Sequence, residues 1–111
     1  MDKVVEYRKR VQDVIRRHAG YKPIYPEIET YTIFDTEHDH YELAHSGWHD
    51  DDRTYGCLIH MHIKDGKIWI QYDGTEVGTA NELVELGVPK EDIVLAFHAP
   101  YKRRHTGFGV G

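Results

Sequence analysis

The sequence predicts an α+β domain in which an N-terminal helix and later helices pack on one face of a mainly antiparallel sheet of about four to five strands. Three observations carry this. Apolar residues recur at helical spacing through the first eighteen positions. Several stretches rich in aromatic and β-branched residues are separated by polar turns. Asp65-Gly66 sits between two alternating segments. A chain of 111 residues suits one compact domain, 1–111.

In the first segment Val4, Tyr7, Val11, Val14 and Ile15 fall on one helical arc, with Asp2 as cap and Gly20 as an expected left-handed stop. The six Lys and Arg of this segment spread over the remaining surface and read as a solvated helix face. Tyr21 to Pro26, with two prolines, reads as a rigid connector. Glu27 to Asp35 and His40 to Ser46 read as a hairpin, and the polar stretch from Gly47 to Gly56 as a lead into a third strand.

Asp65-Gly66 is the signature of a two-residue type I′ turn, because both positions need positive φ. The turn sets a register in which Ile63 faces Ile68, His62 faces Trp69, Met61 faces Ile70, His60 faces Gln71 and Ile59 faces Tyr72. Alternation then places Cys57, Ile59, Met61, Ile63, Ile68, Ile70 and Tyr72 on a core face. Leu58, His60, His62, Trp69, Gln71 and Asp73 fall on the other. Val77 to Gly87 reads as a second helix stopped by Gly87, Pro89 opens a further helical turn, and Ile93 to Phe97 reads as a strand rather than more helix. The tail from His105 to Gly111, rich in glycine, is expected to be pliable.

Net charge is −5, and it is segregated. Residues 1–20 carry six cations against three acids, Pro23 to Asp52 carries nine acids and no Lys or Arg, and Tyr101 to His105 is basic again. Binding along a phosphate backbone demands a positive surface, so direct nucleic-acid contact is disfavoured and a partner of complementary charge is favoured. The single cysteine, Cys57, excludes an internal disulfide and any Cys-x-x-Cys knuckle, which fits a reducing cytoplasm. No apolar run reaches the ~20 residues of a membrane span.

His60 and His62, two apart on one strand face, have a spacing from which both imidazoles reach one ion. A third ligand is needed, with His45 or one of Asp50, Asp51 and Asp52 as candidates. No catalytic motif is assembled: there is no Walker loop, no nucleophile elbow, and Cys57 is expected to face the core. The alternative to a metal pair is a half-polar face covered by another element or subunit. On that reading Trp48, Leu58, His60, His62, Trp69 and Gln71 are interaction candidates, and Trp69 is covered either by a partner or by the first hairpin or a loop of its own chain.

The stretches "GCLIHMHIKDGKIWIQYDGTE", "ANELVELGVPKEDIVLAFHAP" and "TGFGV", with the first helix and Gly47-Trp48, closely resemble the XisI family of cyanobacterial fdxN element excision controlling factors. The resemblance implies a small α+β protein that helps control excision of a DNA element beside a companion called XisH. It supplies no catalytic residues and no cofactor. The expectation is therefore a non-enzymatic, cytoplasmic regulatory protein that acts through protein contacts with a XisH-like partner, with a homo-oligomer also possible. Two readings stand beside it: a metal-assisted hydrolase using His60 and His62, and a DNA binder using the basic N-terminal helix and Tyr101 to His105.

Overall fold

The computed structural model describes residues 2–22 and 25–111, so the expected connector lies partly outside the described residues. Helix α1 (Lys3–Ala19) begins where the Asp2 carboxylate accepts a hydrogen bond from the Val4 amide at 3.0 Å. Its buried side chains are Tyr7, Val11, Val14 and Ile15. The stop differs from expectation: Gly20 has φ −78°, outside the left-handed region. Its N–H bonds to the carbonyls of Arg16 and Arg17, so the helix closes by a tightened last turn rather than by a reversal of hand.

Five strands form one sheet in sequence order: β1 (Ile28–Asp35), β2 (His40–His49), β3 (Asp52–Lys64), β4 (Lys67–Asp73) and β5 (Ile93–Leu95). The first three pairings are antiparallel and β4·β5 is parallel, the crossover being made through α2 (Thr79–Glu85) and a single 3-10 turn at Lys90–Asp92. A short helix, α3 (Pro100–Arg103), follows β5. Asp65 and Gly66 both have positive φ, 53° and 74°, as the I′ turn requires. Gly87, with φ 98°, ends α2 as expected.

The stretch from Gly47 to Gly56 is not a connecting loop. Gly47 pairs with Thr54, Trp48 with Arg53 and His49 with Asp52, and Asp50 takes positive φ in a two-residue turn. β2 and β3 therefore run well beyond the expected hairpin, on side chains such as Trp48, Thr54 and Tyr55 that suit extended backbone. The tail is also more ordered than its glycines imply. Phe108 packs on the core, Gly109 bridges to Val94, and its amide bonds to the carbonyls of Lys90 and Ile93.

The core lies between α1, α2 and one face of the sheet, around Val11, Ile15, Tyr41, Ile59, Met61 and Leu83. Charged groups tie the helices down at its edge. Asp39, in the β1–β2 turn, accepts from Arg8 Nε at 2.7 Å and from the Tyr41 hydroxyl at 2.8 Å. The buried Glu82 of α2 receives His18 Nε2 at 2.5 Å and Arg17 Nη1 at 3.0 Å from the end of α1. Asp92 accepts from the Tyr7 hydroxyl.

Two outcomes follow for stability. The Arg8 hydrogen bond holds the Asp39 carboxyl below its ordinary range, which lies near about 3.9. That contribution is present above the unfolded value and is lost as pH falls through the folded one. Asp39→Asn is expected to lower stability at neutral pH and to make acid unfolding less steep, read by urea titrations between pH 2 and 6. A Cβ at position 109 would lie 2.5 Å from the Glu91 carbonyl oxygen, so Gly109→Ala is expected to cost about 1–3 kcal/mol in the same assay.

Candidate functional site

Two register breaks decide which side chains the sheet presents. Between β2 and β3, Leu43 pairs with Ile59 but Ala44 pairs with Cys57, leaving Leu58 as an extra residue in a β-bulge. Between β3 and β4, Met61 pairs with Ile70 but His60 pairs with Tyr72, leaving Gln71 as the extra residue. Each break reverses the alternation beyond it.

The expected faces change accordingly. Leu58 packs toward the core on the helix side, rather than outward. Cys57 turns out with Ala44, half-buried, not into the core. Burial, reinforced by the charge of Glu42, pushes its thiol up, so it remains a poor nucleophile. Tyr72 leaves the core face and stands beside His60, while Asp73 moves to the helix side. There burial pushes the Asp73 carboxyl up, but hydrogen bonds from the amides and hydroxyls of Thr75 and Thr79 outweigh that and hold it low. Asp73 thereby anchors the start of α2.

Helices α1 and α2 pack on the other face of the sheet, and α3 reaches the outer face only at its β4 end, through Arg103. Ile33 (47% exposed), Trp48 (55%), Tyr55 (76%) and Tyr72 (52%) stand on it with Tyr31, Glu42, Ala44 and Cys57. Arg53 lies over both the Trp48 and Tyr55 rings, 5.7 Å from each centroid. Tyr31, Ile33, Glu42, Ala44, Tyr55 and Cys57 enclose a depression of about 180 Å³. Trp69 is largely claimed by its own chain: Gly111 lies against the ring, Arg103 and Lys64 sit over it, and the indole N–H donates to the Lys64 carbonyl at 3.2 Å. Gln71 is exposed.

His60 and His62 do share the outer face, and the third imidazole beside them is His40, which the sequence reading did not single out. His40 pairs with His62 across β2 and β3, and their rings stack at 3.9 Å. His40 Nδ1 lies 3.0 Å from His60 Nε2, and His60 Nδ1 lies 3.8 Å from Glu42 Oε1. Of the expected third ligands, His45 lines a groove of about 430 Å³ on the helix side, with Leu43, Leu58 and Tyr21. Asp50 to Asp52 lie at the β2–β3 turn, at the other end of the strands. Among the described residues no group of three or more His, Cys, Asp or Glu has the geometry to hold a metal ion.

The sequence matches the family model described as XisI protein over residues 1–110. The chain belongs to the XisI family. Among solved structures it is similar to a XisI-like protein from Anabaena variabilis ATCC 29413, with 44% identity, 96% of this chain and 98% of that chain covered, and a TM-score of 0.91. It is also similar to fdxN element excision controlling factor XisI from the same organism, with 32% identity, 99% and 100% coverage, and a TM-score of 0.86. No curated protein matches it. This chain thus has the α+β architecture expected from the sequence, an N-terminal helix and later short helices with a five-stranded, mostly antiparallel sheet.

The histidine cluster of this XisI-family chain has a defined pH response. Burial lowers the pKa of both His60 and His62, and His40 lowers each further; Glu42 partly opposes this at His60 and Asp39 at His62. Both therefore favour the neutral state, and the stability they contribute is present above the ordinary value of about 6.5 and is lost as pH falls through their folded values. NMR titration should place both imidazoles below that value, and His40→Asn should move them back toward it.

Proposed function

We propose that this chain is a cytoplasmic, non-catalytic regulatory protein that controls excision of a DNA element through protein contacts, with a XisH-like protein as its partner. The observation that carries the reading is the outer sheet face. Four large apolar side chains stand exposed on it, and neither α1 nor α2 packs there. Clusters of exposed aromatics rimmed by polar groups are the usual composition of protein interfaces. Similarity to fdxN element excision controlling factor XisI supplies the process, and the acidic balance of the chain, −5, favours a basic partner surface.

Direct DNA binding finds less support. Four of the six cations of α1 are engaged in ion pairs: Lys3 with Asp92, Arg8 with Asp39, Arg10 with Glu6, and Arg17 with Glu82. Arg103 donates to the carbonyls of Ala96 and His98. A phosphate track needs free cations in a row, and these five are engaged within the chain.

Co-expression with a XisH-like protein should yield a complex that survives gel filtration and weakens as salt rises. Trp48→Ala combined with Tyr55→Ala should reduce recovery of that complex by tenfold or more, with the melting temperature nearly unchanged because both side chains are exposed. Failure of the wild-type pair to associate, or tight duplex binding by the isolated chain, overturns the reading.

A further inference from the structure

We infer that the depression on the outer sheet face is a socket for a single arginine side chain of a basic partner protein, with Glu42 as the anchoring carboxylate. The inference rests on the reading that this chain works through protein contacts, and names the point of attachment. Four observations support it.

The first is size. The depression holds about 180 Å³, below the range of about 300–1,000 Å³ that cofactors and drug-sized ligands occupy, and matched to one long side chain. The second is the charge at its base. Glu42 lies on the face between Tyr31, Ile33, Ala44 and Cys57, with no Lys or Arg within ion-pair distance among the described residues; its one ion-pair contact there is His60 Nδ1 at 3.8 Å. That imidazole is held toward its neutral form by burial, so it brings no fixed positive charge to the depression.

The third is the character of the walls. Tyr31 and Tyr55 line the depression, and on an aromatic ring a guanidinium stacks better than an ammonium does. Tyr55 already takes a guanidinium on its ring, from Arg53 of its own chain, at 5.7 Å. The fourth is the surrounding field. Glu29 and Asp35 of β1 share parity with Tyr31 and Ile33 and so stand on the same face, which adds negative charge around the socket. Arg53 at the rim is the one cation facing it from β2 or β3, and it is engaged by the two aromatic rings. A half-sheltered carboxylate with aromatic walls gives a charge-assisted, bidentate bond that an exposed rim acid does not.

The test uses the ¹⁵N-labelled protein and N-acetyl-arginine amide as probe, with N-acetyl-norleucine amide as the uncharged comparator. Saturable shifts of the Glu42, Ala44, Tyr55, Gly56 and Cys57 amides are expected with the arginine derivative and not with the norleucine derivative. Glu42→Gln, which keeps the shape of the side chain, should weaken the effect about tenfold. Equal response in Glu42→Gln, equal response to norleucine, or scattered shifts overturns the socket. So does a concentration-dependent change at these same amides without any probe, because a second copy would then own the face. Co-purification separates this failure from that of the broader reading. A XisH-like partner that binds wild type and Glu42→Lys equally well removes the socket and leaves the protein-contact function standing. A probe that binds when no partner does removes the function and leaves the socket.

Discussion

The arrangement of the two sheet faces depends on two inserted residues, Leu58 in β3 and Gln71 in β4. A strand has a side-chain period of two, so one unpaired residue exchanges the faces of everything beyond it. Without the bulge at Leu58, the β3 residues before it would present their other sides: Cys57 would enter the core, and Tyr55 would turn toward the helices. Without the bulge at Gln71, Tyr72 would be buried and Asp73 would point away from α2. The second change would remove from Thr75 and Thr79 the carboxylate that organises the turn into α2. The aromatic outer face and the anchored crossover helix are thus consequences of the same device, applied once on each of two neighbouring strands.

This also explains which parts of the molecule were legible in the sequence. Helix α1 and the Asp65-Gly66 turn are local features, written in spacing and in the need for positive φ, and the pairing from Lys64–Lys67 to Met61–Ile70 follows from them. The register beyond Met61 was not legible, because a bulge is a compromise between the packing of both faces and leaves no compositional mark. Leu58 shows the difficulty: an apolar residue next to a core strand position looks the same whether it points in or out. His40 was missed for a related reason. Its place beside His60 and His62 depends on the β2–β3 pairing, and the turn that fixes this pairing, Asp50-Asp51, lacks the glycine that marked its counterpart. Alternation within β2 alone would have put His40 and Glu42 opposite the buried Tyr41 and Leu43, so the signal existed but had no partner strand to meet.

Trp69 illustrates how an apolar side chain that resembles an interface can be satisfied internally. The sheet face is continuous from Trp48 to Trp69, yet its two ends differ. At the β4 end, Arg103 and Gly111 cover the indole, and a tail with three glycines reaches it because close backbone approach is what glycine permits. At the β1–β3 end Arg53 lies over Tyr55, yet Tyr55 stays 76% and Ile33 47% exposed. Covering one end and leaving the other places the available contact area near Glu42 and Tyr55 rather than near Trp69.

The edge of the sheet bears on how such a face avoids indiscriminate association. β1 pairs only with β2 and so offers unpaired backbone along one side, a feature that promotes strand-to-strand aggregation when it is flat and apolar. Here Glu29 and Asp35 stand near its two ends on the outer face, and a second copy approaching antiparallel to β1 would bring like charges near one another. The same acids that oppose self-pairing would attract a cationic surface, so on the proposed reading one charge pattern serves against a copy of the chain and for a basic partner. In that proposal specificity would come from repulsion along β1 and attachment at Glu42, while the exposed aromatics contribute area that either partner would otherwise be able to bury.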